Sequence, residues 1–259
     1  MPALRSTLRI LALILIFLPG VVVQRTILMF TRGNGAFVFP GMWHRAVAAI
    51  LGIKVIVEGK PVQDRQVIYI ANHLSYLDIT VLTTIIPSSF VARGDVSGWP
   101  IAGLLARLQQ TVFISRNRHD ILDAKDGIAE AIASGRRLII FAEGTSSDGS
   151  VVLPFKSSLF SLAMDNPAGR KLMVQPVTLS LLEVDGRPAT ASNVRDLYAW
   201  HGDMTFPPHF LKFVRLRGAK IKVTFHPPRD AARYSDRKAL CADCHDDVTR
   251  GLEPLAQAA

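Results

Sequence analysis

A histidine and an aspartate five positions apart, His73 and Asp78, lie in the stretch Ala71-Asn72-His73-Leu74-Ser75-Tyr76-Leu77-Asp78, directly after the apolar run Val67–Ile70. Brought together by a folded-back loop, such a pair makes a base. A carboxylate bonded to one imidazole nitrogen fixes the tautomer and leaves the other nitrogen able to take a proton. No serine stands in a Gly-x-Ser-x-Gly context, so the hydroxyl to be activated would belong to a substrate. The same spacing also fits a plain helix start, with Asp78 as its first-turn acid and His73 as a loop histidine. Spacing alone leaves both readings open.

Two other stretches place polar groups after apolar runs. Arg116 follows Thr111–Ser115, where a guanidinium can fork onto a phosphate, although a surface arginine fits equally. Glu143, Gly144 and Thr145 follow Leu138–Phe141. Glycine there lets backbone amides approach an anion, and Thr145 offers a hydroxyl, while an ordinary polar turn accounts for the same residues.

The elements that must position these residues alternate. Short Val/Ile/Phe-rich runs predict strands at Lys54–Val57, Val67–Ile70, Phe90–Arg93, Thr111–Ser115, Leu138–Phe141, Met173–Leu182 and Lys220–Phe225. Helical periodicity predicts helices at Tyr76–Ile86, Trp99–Gln109, Asp120–Ser134, Ser157–Asp165, Pro208–Leu216 and Ser235–Leu252, the last with Ser235 as its N-cap. Pro176, inside an apolar strand, marks an edge or a bulge. The order implies an α/β fold, a largely parallel sheet flanked by helices, with ligands outside the carboxyl ends of its strands. Residues 1–52 read as a membrane-associated N-terminal segment and residues 53–259 as the catalytic domain.

The 259 residues carry 30 Lys and Arg against 21 Asp and Glu, a net charge of +9, which favours an anionic partner. The basic residues are scattered and form no nucleic-acid module, so the expected partner is the lipid bilayer rather than nucleic acid. The uncharged run Ile10–Val23 lies among Arg5, Arg9, Arg25 and Arg32. It is short for a straight span, and no small-x-small cleavage site follows it. The expectation is a retained apolar anchor in the bilayer, a helical hairpin bent at Pro19-Gly20 and continuing through Thr26–Phe30, with arginines at anionic head groups.

Cys241, Cys244 and His245 form a Cys-x-x-Cys-His pattern, which raises the alternative of a membrane-tethered c-type haem carrier. Against it, both cysteines fall on one face of the predicted C-terminal helix, where a small core residue is the ordinary choice.

Taken together, Asn-His-x-x-x-x-Asp at 72–78, Phe-x-x-Arg at 113–116, Phe-x-Glu-Gly-Thr at 141–145 and the proline strand at 174–177 resemble the glycerolipid acyltransferases that make phosphatidic acid from 1-acylglycerol 3-phosphate. The resemblance covers about residues 50–230, and Leu197–Met204 is similar to a segment of its bacterial members. It implies that His73 is the general base and Asp78 its orienting partner. Arg116 would bind the acceptor's anion, and Glu143, Gly144 and Thr145 would shape that pocket. The acyl donor would be a thioester of coenzyme A or acyl carrier protein, with no metal or other cofactor, and the enzyme would work at the inner membrane facing the cytoplasm. Ala142 and Ser146 stand where the family usually has proline and arginine. Losing that arginine removes a phosphate partner, so the resemblance implies as acceptor either 1-acylglycerol 3-phosphate or a lysolipid with less negative charge, lyso-ornithine lipid being the concrete candidate.

Overall fold

The computed structural model describes residues 2–31, 33–114, 120–164 and 172–253, with the backbone alone over 120–126. Two helices come first, α1 (Pro2–Phe30) and α2 (Val38–Leu51), joined through a 3-10 turn at Gly33–Phe37. Then follow β1 (Ile53–Glu58), β2 (Val67–Ala71), α3 (Leu77–Thr83), β3 (Ser89–Arg93), α4 (Pro100–Leu108), β4 (Val112–Ile114), α5 (Asp120–Ala133) and β5 (Leu138–Phe141). The chain continues through α6 (Ser161–Met164), β6 (Met173–Val184), β7 (Arg187–Pro188), α7 (Ser192–Arg195), α8 (Phe206–Phe213), β8 (Ala219–Phe225), β9 (Arg229–Asp230) and α9 (Arg237–Arg250). The predicted strands and helices recur with ends shifted by a few residues; Ser115 and Asp165, two predicted ends, lie outside the described residues.

The strands form one sheet in the order β1-β8-β6-β2-β5-β3-β4, with β7 and β9 added to β6. Every pair is parallel except those that β6 makes with β7, β8 and β9. The all-apolar β2, Val67-Ile68-Tyr69-Ile70-Ala71, is buried at every position because helices cover both faces of the sheet there. Pro176 sits in an interior strand. It falls where the antiparallel partner breaks, since β8 ends opposite Val177 and β9 starts opposite Val174, so the irregularity predicted from the proline lies in its neighbour.

Two local expectations are corrected. Asp236, rather than Ser235, caps α9, its carboxylate accepting the N–H groups of Lys238 at 2.7 Å and Ala239 at 3.0 Å. Pro19-Gly20 makes no hairpin bend, because α1 runs unbroken through it for 29 residues, about 43 Å. The chain reverses instead around Gly33–Phe37, and α2 returns antiparallel along α1. Gly20 is the docking point of the two helices. A Cβ there would lie 2.8 Å from Trp43 Nε1, whose N–H donates to the Ile16 carbonyl at 3.3 Å.

One face of α1 is fastened along the body. The Arg9 guanidinium donates to the carbonyls of Leu216 at 2.6 Å and Arg217 at 2.9 Å, and the Gln24 amide to those of Ala36 at 3.0 Å and Leu108 at 3.1 Å. The opposite face, with Leu8, Leu11, Leu15 and Leu18, is exposed and apolar, Leu15 to 74%. By length and composition α1 is suited to a membrane.

Candidate active site

Strands β2 and β5 are parallel neighbours in register, Ala71 opposite Phe141, so the loops leaving their carboxyl ends emerge side by side. One carries Asn72 and His73, the other Glu143 and Gly144. Asn72 pins the first loop: its side-chain carbonyl accepts the Leu179 N–H at 2.8 Å and its amide donates to the Leu179 carbonyl at 3.0 Å. A buried side chain thus continues the β2–β6 ladder one residue beyond the strand.

The loop folds back within five residues, and the His73 Nδ1–Asp78 Oδ2 distance is 2.9 Å. Asp78, at the start of α3, is fully buried. Oδ2 also accepts the N–H groups of Leu74 at 2.7 Å and Ser75 at 2.9 Å, and Oδ1 accepts the Tyr198 hydroxyl at 2.8 Å. Four donors around one carboxylate compensate its burial and hold it as an acceptor. That arrangement places the His73 proton on Nδ1. Nε2 is left without a partner among the described residues. The imidazole stacks on Phe141, centroids 3.9 Å apart and planes 15° from parallel, which fixes its second rotation.

Glu143 lies behind the histidine rather than in the open site. Its carboxylate accepts the Leu153 N–H at 3.0 Å and the His73 N–H at 3.4 Å. Burial pushes its pKa up to about 8, opposed by those two N–H groups and assisted by the Asp78 charge. Gly144 takes a left-handed φ of 68°, and Thr145 is exposed on the same loop. Arg116 lies outside the described residues.

Sequence reasoning gave no role to the segment that closes the site. The Trp200 N–H donates to the Leu74 carbonyl at 2.9 Å, the Ser146 hydroxyl donates to the Trp200 carbonyl, and Arg195 pairs with Asp148 at 2.7 Å. Together with Tyr198 these bonds clamp residues 195–200 across both loops. The only sequence signal was the motif Leu197–Met204 itself, whose partners lie far away along the chain.

Beside the dyad opens an apolar cavity of about 590 Å³ between α1, α2, α3 and α4, with Tyr76, Trp200 and Phe206 among its walls. Phe90 lines it and stacks on Phe141, the ring that carries His73, with centroids 6.0 Å apart. Two stacked rings, Phe90 and Phe141, thus connect the wall of the cavity to the base.

Cys241 and Cys244 are buried in the core beside Leu240 and Ala231, and the Cys241 thiol faces the Phe155 carbonyl at 3.6 Å. Their spacing is that of a core helix face, and the haem alternative finds no support in it.

Residues 54–180 match the acyltransferase family model. The chain is 37% identical over 210 residues to a lyso-ornithine lipid O-acyltransferase of Rhizobium meliloti, covering 78% of this chain and 70% of that protein. It is 34% identical to one of Brucella abortus, covering 83% and 81%. A 1-acyl-sn-glycerol-3-phosphate acyltransferase of Neisseria gonorrhoeae is 35% identical, covering 75% and 72%. The crystal structure of a 1-acyl-sn-glycerophosphate acyltransferase of Thermotoga maritima superposes with a TM-score of 0.68 at 23% identity, covering 97% and 96%, and shares the fold.

Proposed function

The chain belongs to the acyltransferase family, and on that premise we propose that it moves a fatty acyl group from an acyl thioester to the hydroxyl of a lysolipid at a membrane surface. The observation that carries this is the 2.9 Å His73–Asp78 bond, with Nε2 unpartnered among the described residues, one pair of stacked rings from a cavity large and apolar enough for an acyl chain. His73 Nε2 takes the proton of the acceptor hydroxyl as its oxygen attacks the thioester carbonyl. The carbon–oxygen bond forms, the carbon–sulfur bond breaks, and the imidazolium returns the proton to the departing thiolate. Asp78 holds the imidazole and stabilises its charged form. The step uses no metal and no covalent enzyme intermediate, and the thiol leaves on coenzyme A or acyl carrier protein.

The membrane reading rests on α1. A helix fastened along one face to the body cannot leave it to cross a bilayer, so its free apolar face enters one leaflet with the helix lying near the membrane plane. In a bacterial cell the thioester donors are cytoplasmic, which puts the site on the cytoplasmic face of the inner membrane. Arg116, Gly144 and Thr145 would form the acceptor side of the site, with Glu143 bracing the two loops from behind the histidine.

For the acceptor we favour lyso-ornithine lipid. Ser146 replaces the arginine expected after Glu-Gly-Thr, and the two relatives named first act on that lipid by name. Purified full-length protein, assayed with acyl-carrier-protein and coenzyme A thioesters, should acylate lyso-ornithine lipid in preference to 1-acylglycerol 3-phosphate. A strong preference for the latter overturns the acceptor assignment; transfer to neither overturns the reaction.

A further inference from the structure

We propose that Lys156 is a specificity-determining residue that holds the anionic group of the acceptor's head, phosphate or carboxylate, while the acceptor hydroxyl reaches His73. The inference rests on the acyl-transfer reading above and names a contact within it.

Lys156 is tied to the second catalytic loop by its own backbone, its N–H donating to the Ala142 carbonyl at 2.9 Å. From there its stem crosses over Gly144. A Cβ at Gly144 would lie 2.8 Å from Lys156 Cε and 2.9 Å from Cδ, and closer still to the ammonium, so the absence of a side chain at 144 makes the groove in which the lysine lies. That loop is joined to the histidine's by two bonds: the His73 N–H to Glu143, and the Ser147 N–H to the His73 carbonyl at 2.9 Å. The ammonium thus stands at the same end of the sheet as the base.

The Lys156 side chain is exposed. Among the described residues Lys156 has no ion-pair or side-chain hydrogen-bond partner. The described carboxylates of the two catalytic loops and the start of α3 are engaged elsewhere, Asp78 by four donors, Glu143 by two backbone N–H groups and Asp148 by Arg195. The Ser146 hydroxyl donates its proton to the Trp200 carbonyl rather than to an anion. An exposed cation without a partner among the described residues, laid over a glycine on the loop bonded to the base's own, suits an acceptor that carries its anion a few bonds from its hydroxyl. An ammonium is a point charge with no fork geometry, so it receives a carboxylate as readily as a phosphate.

The test uses full-length wild type and Lys156→Met, which keeps the stem, in mixed micelles with three acceptors: lyso-ornithine lipid, 1-acylglycerol 3-phosphate and uncharged monoacylglycerol. For whichever anionic acceptor the wild type uses, the variant's acceptor KM should rise roughly tenfold with the donor KM unchanged. Any transfer to monoacylglycerol should be unaffected. Lys156→Arg should retain most of the affinity. An unchanged acceptor KM in Lys156→Met overturns the inference while leaving acyl transfer intact. A rise in the donor KM instead assigns the cation to the donor's phosphates and overturns it as well. Wild type inert toward every acceptor removes the acyl-transfer reading itself, and this inference with it.

Discussion

The Tyr198 hydroxyl donates to Asp78 Oδ1 at 2.8 Å, a bond made across 120 residues of chain and buried on both sides. It extends the His73–Asp78 pair into a three-membered relay in which the tyrosine holds the carboxylate and the carboxylate holds the imidazole. Tyr198→Phe removes one donor from a buried carboxylate without emptying the space of the ring. We expect a loss of about 1–3 kcal/mol of stability. The turnover number should fall several-fold with little change in either KM, as steady-state kinetics alongside urea denaturation will measure.

His73→Ala and Asp78→Asn should each lower acyl transfer by about 10²- to 10⁴-fold, the usual contribution of a positioned base. Circular dichroism and vesicle binding should stay near wild type for His73→Ala, because its ring is partly exposed at the loop surface. Full activity in His73→Ala would exclude the base assignment.

Glu143 makes stability depend on pH. Below about 4.5 the folded and unfolded chains both hold its proton. Between about 4.5 and 8 the unfolded chain has released it while the folded one, with its pKa raised to about 8 by burial, retains it. Folding stability attributable to this group therefore declines across that window and levels off above it. Melting temperatures recorded from pH 5 to 9 should show a smaller decline in Glu143→Gln than in wild type; parallel curves would refute the argument.

The cavity predicts chain-length control. Ala102→Phe on α4 fills part of the space between the helices. Each methylene kept out of the cavity should cost about 0.8 kcal/mol of binding. Relative rates with a ladder of acyl thioesters should shift toward shorter chains, with the shortest donors unaffected.

The exposed face of α1 predicts the membrane contact. Leu11→Glu, Leu15→Glu and Leu18→Glu together place charge on the free side of the helix and disturb nothing on the packed side. The triple variant should remain folded and stay in the soluble fraction when vesicles of anionic phospholipid are floated on a density gradient, where wild type rises with the lipid.

Much was determined by local sequence. Runs such as Val67–Ala71 and Leu138–Phe141 are legible as buried strands because a strand covered on both faces needs continuous apolar residues. The position of His73 and Glu143 just beyond those runs also placed them at strand ends. The pairing of His73 with Asp78 was readable as a possibility, since a five-residue separation closes within a single loop. What tertiary structure alone decided involves partners remote in sequence. The roles of Asn72, Tyr198 and Lys156 depend on Leu179, Asp78 and Gly144, and periodicity carries no information about contacts over such separations. Pro19-Gly20 shows the same limit from the other side. Its residue types favour a bend, but the close approach of Trp43 across α2 uses the missing side chain for packing, and the helix continues. Residue type states what a position can do; which of those options is realised follows from what the fold brings against it.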